Sequence, residues 1–295
     1  FLFKIISNKS LTNIGKKALE ISLKLRIPIL FLVKGTVFEQ FCSGESLSES
    51  FKTVQKLHDH NVKSYLHYSV EGLENEDSYD TSLKEVLNSI EFVSSKSILD
   101  YTVFKPTAIA STHILEKVSE KRTLNTEESK FYDKIYERFD SICNRAHKKG
   151  VKILVDAEES WIQNAIDEIV LKMMIKYNKK ETVVFNTAQM YRHDRLIYLN
   201  KLKELAEKEN FFIGIKLVRG AYIEKENKRA IERNYKSPIC ASKNLSDINY
   251  NDGVSFIISN LRIFSLFSGT HNEESIYKII DLMKSYNINK DSSKI

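Results

Sequence analysis

Phe211-Phe-Ile-Gly-Ile-Lys-Leu-Val-Arg-Gly-Ala-Tyr-Ile-Glu-Lys-Glu226 begins as an apolar, strand-like run and turns abruptly into a charged helical pattern. Lys216 interrupts the run near its end, and Arg219-Gly220-Ala221-Tyr222 makes the turn. A strand that feeds a helix through Gly-Ala leaves backbone N–H groups without partners at the helix start, aimed where an anion can sit. Two cations and a phenol beside that turn suit a phosphorylated cofactor and a small charged substrate.

The same strand-then-helix alternation extends in both directions from Leu57 onward. A strand is predicted over 62–70, followed by a helix with Leu83, Val86, Leu87 and Ile90 on one face. The strand over 101–105 is stopped by Pro106, and two helical patterns follow, the second carrying Phe131, Ile135, Phe139 and Ile142 and ending at Gly150. Strands are predicted over 151–158, 182–187, 211–218 and 262–268. The helices between them carry Ile162, Ile166, Ile169 and Met173, then Leu196, Leu199, Leu202 and Leu205. Asn272 caps the last helix, which carries Ile276, Ile279, Ile280 and Met283. Parallel strands joined by helices define an α/β architecture, doubly wound or barrel.

Lys105, Asp156, Gln189, Arg219 and His271 each fall at the C-terminal end of a predicted strand. A doubly wound sheet gathers its site at one switch point, whereas a (β/α)8 barrel spreads its site over all strand ends of one face. The pattern therefore favours a (β/α)8 TIM-type barrel, incomplete because only six strands can be counted, over 57–295. Residues 1–56 read as an N-terminal helical arm.

Composition excludes several other classes. The 42% hydrophobic and 28% charged fractions are those of a globular chain, and 45 basic against 39 acidic residues give a dispersed net charge of +6. No block of like charge suggests nucleic-acid binding. Cys42, Cys143 and Cys240 stand far apart, so neither a disulfide framework nor a metal site is expected, and a reducing cytoplasm is the natural compartment. The apolar run 27–33 contains Pro28 and is too short to cross a bilayer. There is no Gly-x-Gly-x-x-Gly or Gly-Lys-Ser/Thr pattern to support a Rossmann dinucleotide fold or a P-loop.

Taken singly, the strand-end residues have ordinary explanations. Lys105 suits a structural ion pair, a clamp for a substrate carboxylate, or a Schiff-base lysine of the aldolase kind. Asp156 suits a helix cap, but with Lys105 one strand away an ion pair between them is the better reading. Glu158 and Glu159 read as first-turn residues that complement a helix dipole. Gln189 and His271 read equally as satisfied loop residues or as cofactor contacts. Gly220 and Ala221 lack bulk, so a pyrophosphate can approach the turn closely while Arg219 neutralises it.

Together the motifs resemble the proline dehydrogenase family from Phe41 to the end of the chain. They are Tyr-Ser-Val-Glu-Gly at 68–72, Phe-Lys-Pro-Thr at 104–107, Val-Asp-Ala-Glu at 155–158, Asn-Thr-Ala-Gln at 186–189, Lys-Leu-Val-Arg-Gly-Ala-Tyr at 216–222, Ser-Pro-Ile at 237–239 and Gly-Thr-His-Asn at 269–272. The resemblance implies a barrel holding non-covalent FAD, oxidation of L-proline to 1-pyrroline-5-carboxylate as the first step of proline breakdown to glutamate, and electrons passed to a membrane quinone. A cytoplasmic protein touching the inner membrane peripherally follows from that acceptor. By the same resemblance Lys105 and Tyr222 bind substrate, Asp156 organises the ionic network, and Lys216 lies near the flavin N5. Ala157, Gln189, Arg219, Gly220, Ala221, Thr270 and His271 contact FAD. His67 stands where many members carry an acid. The family's last strands and a helix with paired arginines lie beyond Ile295, so the chain is expected to be part of a longer protein or an inactive remnant that keeps the fold.

Overall fold

The computed structural model describes residues 9–25, 34–67 and 74–295. The chain divides into two compact units, Phe1–Ser64 and Tyr65–Ile295. In the first, helix α1 spans Lys9–Lys24 and a π-helical turn at Lys34–Phe38 runs into Glu39–Phe41. Helix α2, Leu47–His58, follows and runs across the 56/57 boundary read from sequence. It starts where Ser46 Oγ accepts the Glu49 N–H at 3.2 Å, an N-cap hydrogen bond. The apolar run 27–33 and the Tyr-Ser-Val-Glu-Gly motif at 68–72 fall outside the described residues, as does the end of the strand expected over 62–70.

The second unit alternates strand and helix. Its strands are β1 Leu66–His67, β2 Tyr101–Phe104, β3 Lys152–Val155, β4 Val184–Gln189, β5 Ile213–Val218 and β6 Phe264–Gly269. Its helices are α3 Glu76–Ser94, α4 Thr112–Ser119, α5 Thr126–Lys149, α6 Ser160–Tyr177, α7 Arg195–Glu209, α8 Ile223–Glu232, α9 Lys243–Ile258 and α10 Glu273–Ser285. The six strands form one parallel sheet in sequence order. Ile162, Ile166, Ile169 and Met173 are fully buried, as their helical spacing predicts. Gly150 ends α5 in the left-handed region at φ 67°, and Asn272 caps α10 by accepting the Ser275 N–H at 2.9 Å.

The sheet is curled. In a flat sheet β2 and β6 would lie about 19 Å apart, four strand spacings. Instead the rings of Tyr101 on β2 and Phe267 on β6 meet edge to face with centroids 5.4 Å apart, and Tyr101 meets Phe185 of β4 at 6.0 Å. Side chains from alternate strands meeting inside the curl are the packing pattern of a (β/α) barrel.

Several element boundaries depart from the sequence reading: β3 ends at Val155 rather than at 158, and β5 and β6 each begin two residues late. Described residues 62–65 carry no strand pairing, and β1 begins at Leu66, opposite Thr102. β4 begins two residues late: the Val183 N–H donates to the Asn178 side-chain oxygen at 3.0 Å rather than to a neighbouring strand, and Thr182 Oγ1 is engaged with Ser265 Oγ at 2.9 Å. Helix α9 was not anticipated at all. Its buried face mixes Tyr250, Val254, Ile257 and Ile258 with the polar Ser246 and Asn249, which blurs the apolar period. The Asn249 amide donates to the carbonyls of Met190 at 2.6 Å and Arg192 at 2.9 Å, so that helix is bonded to the loop after β4.

Candidate functional site

Strand register builds the site before any side chain is considered. Phe104 lies beside Val155, Val155 beside Asn186, Thr187 beside Lys216, and Lys216 beside Phe267. One step further along β2 and β3, the Asp156 N–H donates to the Phe104 carbonyl at 3.0 Å, which continues the ladder. Lys105, Asp156, Thr187 and Lys216 therefore stand at one level on the inner face. One layer below, Val103, Leu154 and Phe185 form a buried apolar floor. Two residues above, Gln189, Val218 and Gly269 share the next level.

These levels bound a cleft of about 620 Å³ at the C-terminal ends of the strands. Every residue expected to bind substrate or cofactor, or to order the charges between them, lines it: Lys105, Asp156, Ala157, Gln189, Lys216, Arg219, Gly220, Ala221, Tyr222, Thr270 and His271. Thr187, Lys243 and Asn272 join them and were not anticipated. A cleft at this end of a parallel α/β sheet is where such folds bind ligands.

The ionic geometry corrects one expectation. Asp156 pairs with Lys216 of β5, Nζ to Oδ1 at 2.6 Å, rather than with Lys105 of the adjacent β2. The pair spans β4, a reach that the curl makes short. Lys216 is 9% exposed, so its ammonium needs this partner to offset desolvation. Tyr65 lies beneath it, the ring centroid 6.0 Å from Nζ and the ring edge-to-face with Phe267.

The Arg219 guanidinium is held on every side. Nε donates to Asp247 Oδ1 of α9, Nη1 to Thr270 Oγ1 at 2.8 Å and Nη2 to Ser275 Oγ at 3.0 Å, while the group stacks on Tyr250 at 4.5 Å. Lys243 reaches the other oxygen of Asp247 at 2.6 Å. Those hydrogen bonds, from Lys243 first and Arg219 next, hold the Asp247 carboxyl below its ordinary range. Two cations share one carboxylate, so the trio keeps one net positive charge facing the cleft.

Gly220 has φ +132°, and a Cβ there would lie 2.6 Å from carbons of the Tyr191 ring. Packing against Tyr191 thus already requires a glycine here. Helix α8 begins one residue past Tyr222, which provides no side-chain cap.

Glu158 and Glu159 are not first-turn residues: α6 begins at Ser160, with Glu159 as its N-cap. Glu158 is buried, and its carboxylate accepts from the Thr107 N–H at 2.8 Å and the Thr107 hydroxyl at 3.0 Å. Burial raises its pKa, the Thr107 hydrogen bonds opposing that rise. Its own carbonyl accepts from Gln189 Nε2 at 2.6 Å, which leaves the Gln189 oxygen for other contacts. Among the described residues no helix is long and apolar enough to cross a membrane, and no cluster of three His, Cys, Asp or Glu side chains is placed to hold a metal ion.

A curled parallel sheet with a cleft lined by several cations at its strand ends defines a protein of the α/β barrel class. The chain belongs to the proline dehydrogenase family, whose model matches residues 50–295. It is 34% identical to the carbapenem antibiotics biosynthesis protein CarD of Pectobacterium carotovorum, over 81% of this chain and 63% of that protein. It is 30% identical to the mitochondrial proline dehydrogenase 2 of Arabidopsis thaliana, over 90% of this chain and 65% of that protein. It therefore spans just under two thirds of the length of these relatives. Among solved structures, proline utilization A of Bdellovibrio bacteriovorus inactivated by N-propargylglycine superposes with a TM-score of 0.75 at 18% identity, over 85% of this chain and 27% of that one. That likeness is one of fold.

Proposed function

We propose that this chain carries the cofactor and substrate cleft of an enzyme that oxidises L-proline to 1-pyrroline-5-carboxylate with FAD, the electrons passing on to a quinone. The observation that carries the reading is the Lys216–Asp156 pair at 2.6 Å, flanked at its own level by Lys105 and backed by an apolar floor. Proline is a zwitterion, and a level that alternates ammonium and carboxylate can meet both of its charges. Lys105 offers a cation to the substrate carboxylate, and Tyr222 offers a ring at the edge of the cleft.

The donor set also fits a flavin dinucleotide. At one end Lys216 and Gln189 can meet the polar edge of a planar ring, while Ala157 allows close approach. At the other end the single net positive charge of Arg219, Lys243 and Asp247 suits a pyrophosphate, with Gly220 and Ala221 in the adjacent turn and Thr270 and His271 beside it. When bound, such a cofactor supplies the hydride-accepting chemistry, and the protein supplies orientation and electrostatics. A quinone acceptor resides in a membrane, so contact with a membrane surface is part of this reading.

The test is anaerobic titration of the purified, flavin-loaded protein with L-proline. Loss of the oxidised flavin absorbance supports the proposal. A protein that binds flavin yet is not bleached by proline would favour binding without turnover. One that takes up no flavin would end the reading.

A further inference from the structure

The loop after β3, Asp156-Ala-Glu-Glu-Ser160, makes polar contacts to elements on both sides of it. Asp156 reaches Lys216 of β5, and Glu159 reaches Lys225 of α8 at 2.7 Å. Ser160 gives both its N–H and its hydroxyl to the fully buried Glu226 of α8 at 2.6 Å each. Glu158 stands at the centre. Its two carboxylate oxygens hold Thr107, two residues past Lys105 in the turn Pro106–Ala108, and its backbone carbonyl holds the side-chain amide of Gln189. Its N–H donates to Gln163 Oε1 at 2.8 Å, and Gln163 Nε2 donates to Asp167 at 2.8 Å, so Glu158 is itself fixed from within α6.

We infer that Glu158 is a positioning residue: from the end of β3 it sets the placement of Lys105, delivered by β2, and of Gln189, delivered by β4. The inference rests on the function proposed above and extends it to a residue that need touch neither ligand. The carboxylate lies 4% exposed behind the cleft wall and is absent from its lining. The two bonds to Thr107 are matched in chemistry, one backbone N–H and one hydroxyl for two carboxylate oxygens. An amide offers only one acceptor oxygen in the same shape, so Glu158→Gln must drop one of them. Loosening the Lys105–Thr107 turn weakens the grip on a substrate carboxylate, while a displaced Glu158 backbone lets Gln189 turn away from the cofactor.

The experiment uses the full chain loaded with FAD, and tetrahydro-2-furoate as a probe that keeps the carboxylate of proline but has no ring nitrogen to oxidise. Exchange of the Thr107 amide with solvent deuterium should accelerate at least tenfold in Glu158→Gln, and the probe Kd, read from the flavin absorbance, should rise about tenfold, the effect of losing one hydrogen bond to a charged group. Thr107→Val, which removes only the hydroxyl, should raise the probe Kd severalfold, and Thr107→Ser should restore it; a merely structural role would not produce that rescue. Thr107→Val is read even if Glu158→Gln folds poorly. Variants that bind FAD and probe as the wild type does would overturn the role of Glu158 alone. A wild type that binds neither FAD nor probe would remove the proposed function and this inference with it.

Discussion

A methyl group at position 220 would meet the Tyr191 ring at 2.6 Å from a backbone held at φ +132°. Both costs fall on Gly220→Ala: overpacking, and a conformation that L-residues avoid. We expect the variant to lose about 3 kcal/mol of stability, measured as a lowered urea midpoint at unchanged slope. A loss below about 0.5 kcal/mol would mean that the turn repacks freely. Position 220 also marks what was legible in the sequence at this scale. That Arg219-Gly220-Ala221-Tyr222 turns at the mouth of a site could be read from the strand and helix patterns on either side. What the glycine makes room for could not, because Tyr191 lies in a different loop and meets it only in the fold. The partner of Asp156 was hidden in the same way. Sequence reasoning picks the neighbouring strand and hence Lys105; curvature brings in Lys216, two strands away.

Elements reveal a second kind of blindness. Helix α9 supplies Lys243 to the cleft and Asp247 to hold Arg219, yet its buried Ser246 and Asn249 disguise it as a polar segment. Those polar residues are buried because they are hydrogen-bonded, a compensation invisible to a hydrophobic pattern. The same holds for the network that joins α6 to α7. Asp167 accepts from Gln163 and Asn186 through one oxygen, each at 2.8 Å, and from the buried Arg195 through the other at 2.9 Å. Asp194 holds the opposite edge of that guanidinium. Replacing Asp167 by Asn keeps the volume but turns an amide N–H₂ or an uncharged oxygen towards a cation that is only 6% exposed in its side chain. We expect a loss of about 3 kcal/mol, the lower end for breaking a buried pair, since Asp194 remains. Equilibrium urea unfolding measures it. A wild-type midpoint would mean that Asp194 alone satisfies Arg195, and the network would then be a matter of geometry with little energetic weight.

At the scale of the whole molecule, the alternation of apolar strand-like runs and helical patterns was enough to point to a parallel sheet, and the strands take chain order because each βα unit folds back onto its predecessor. The levels within the curl follow from register, and register in turn from which residues are apolar, so a line of polar residues one step past the apolar floor becomes a ring around a cleft. The cleft draws on the ends of β2 to β6 and on the helices that follow β5 and β6, and a ligand lying across it would join parts of the chain separated by up to 168 positions, from Lys105 to Glu273. Such a ligand binds only the folded chain and must therefore stabilise it. At a free concentration one hundredfold above Kd, FAD should add about 2.7 kcal/mol, which for a domain of this size raises Tm by about 5–10 °C, followed by far-ultraviolet circular dichroism. Riboflavin presents the same ring without phosphate or adenine. If the single positive charge shared by Arg219, Lys243 and Asp247 grips the pyrophosphate, riboflavin at equal concentration should give a much smaller shift, and added salt should erode the FAD shift more than the riboflavin one. Equal shifts for the two ligands would confine recognition to the Lys216 end of the cleft and leave the cationic trio a purely structural knot between β5, α9 and α10.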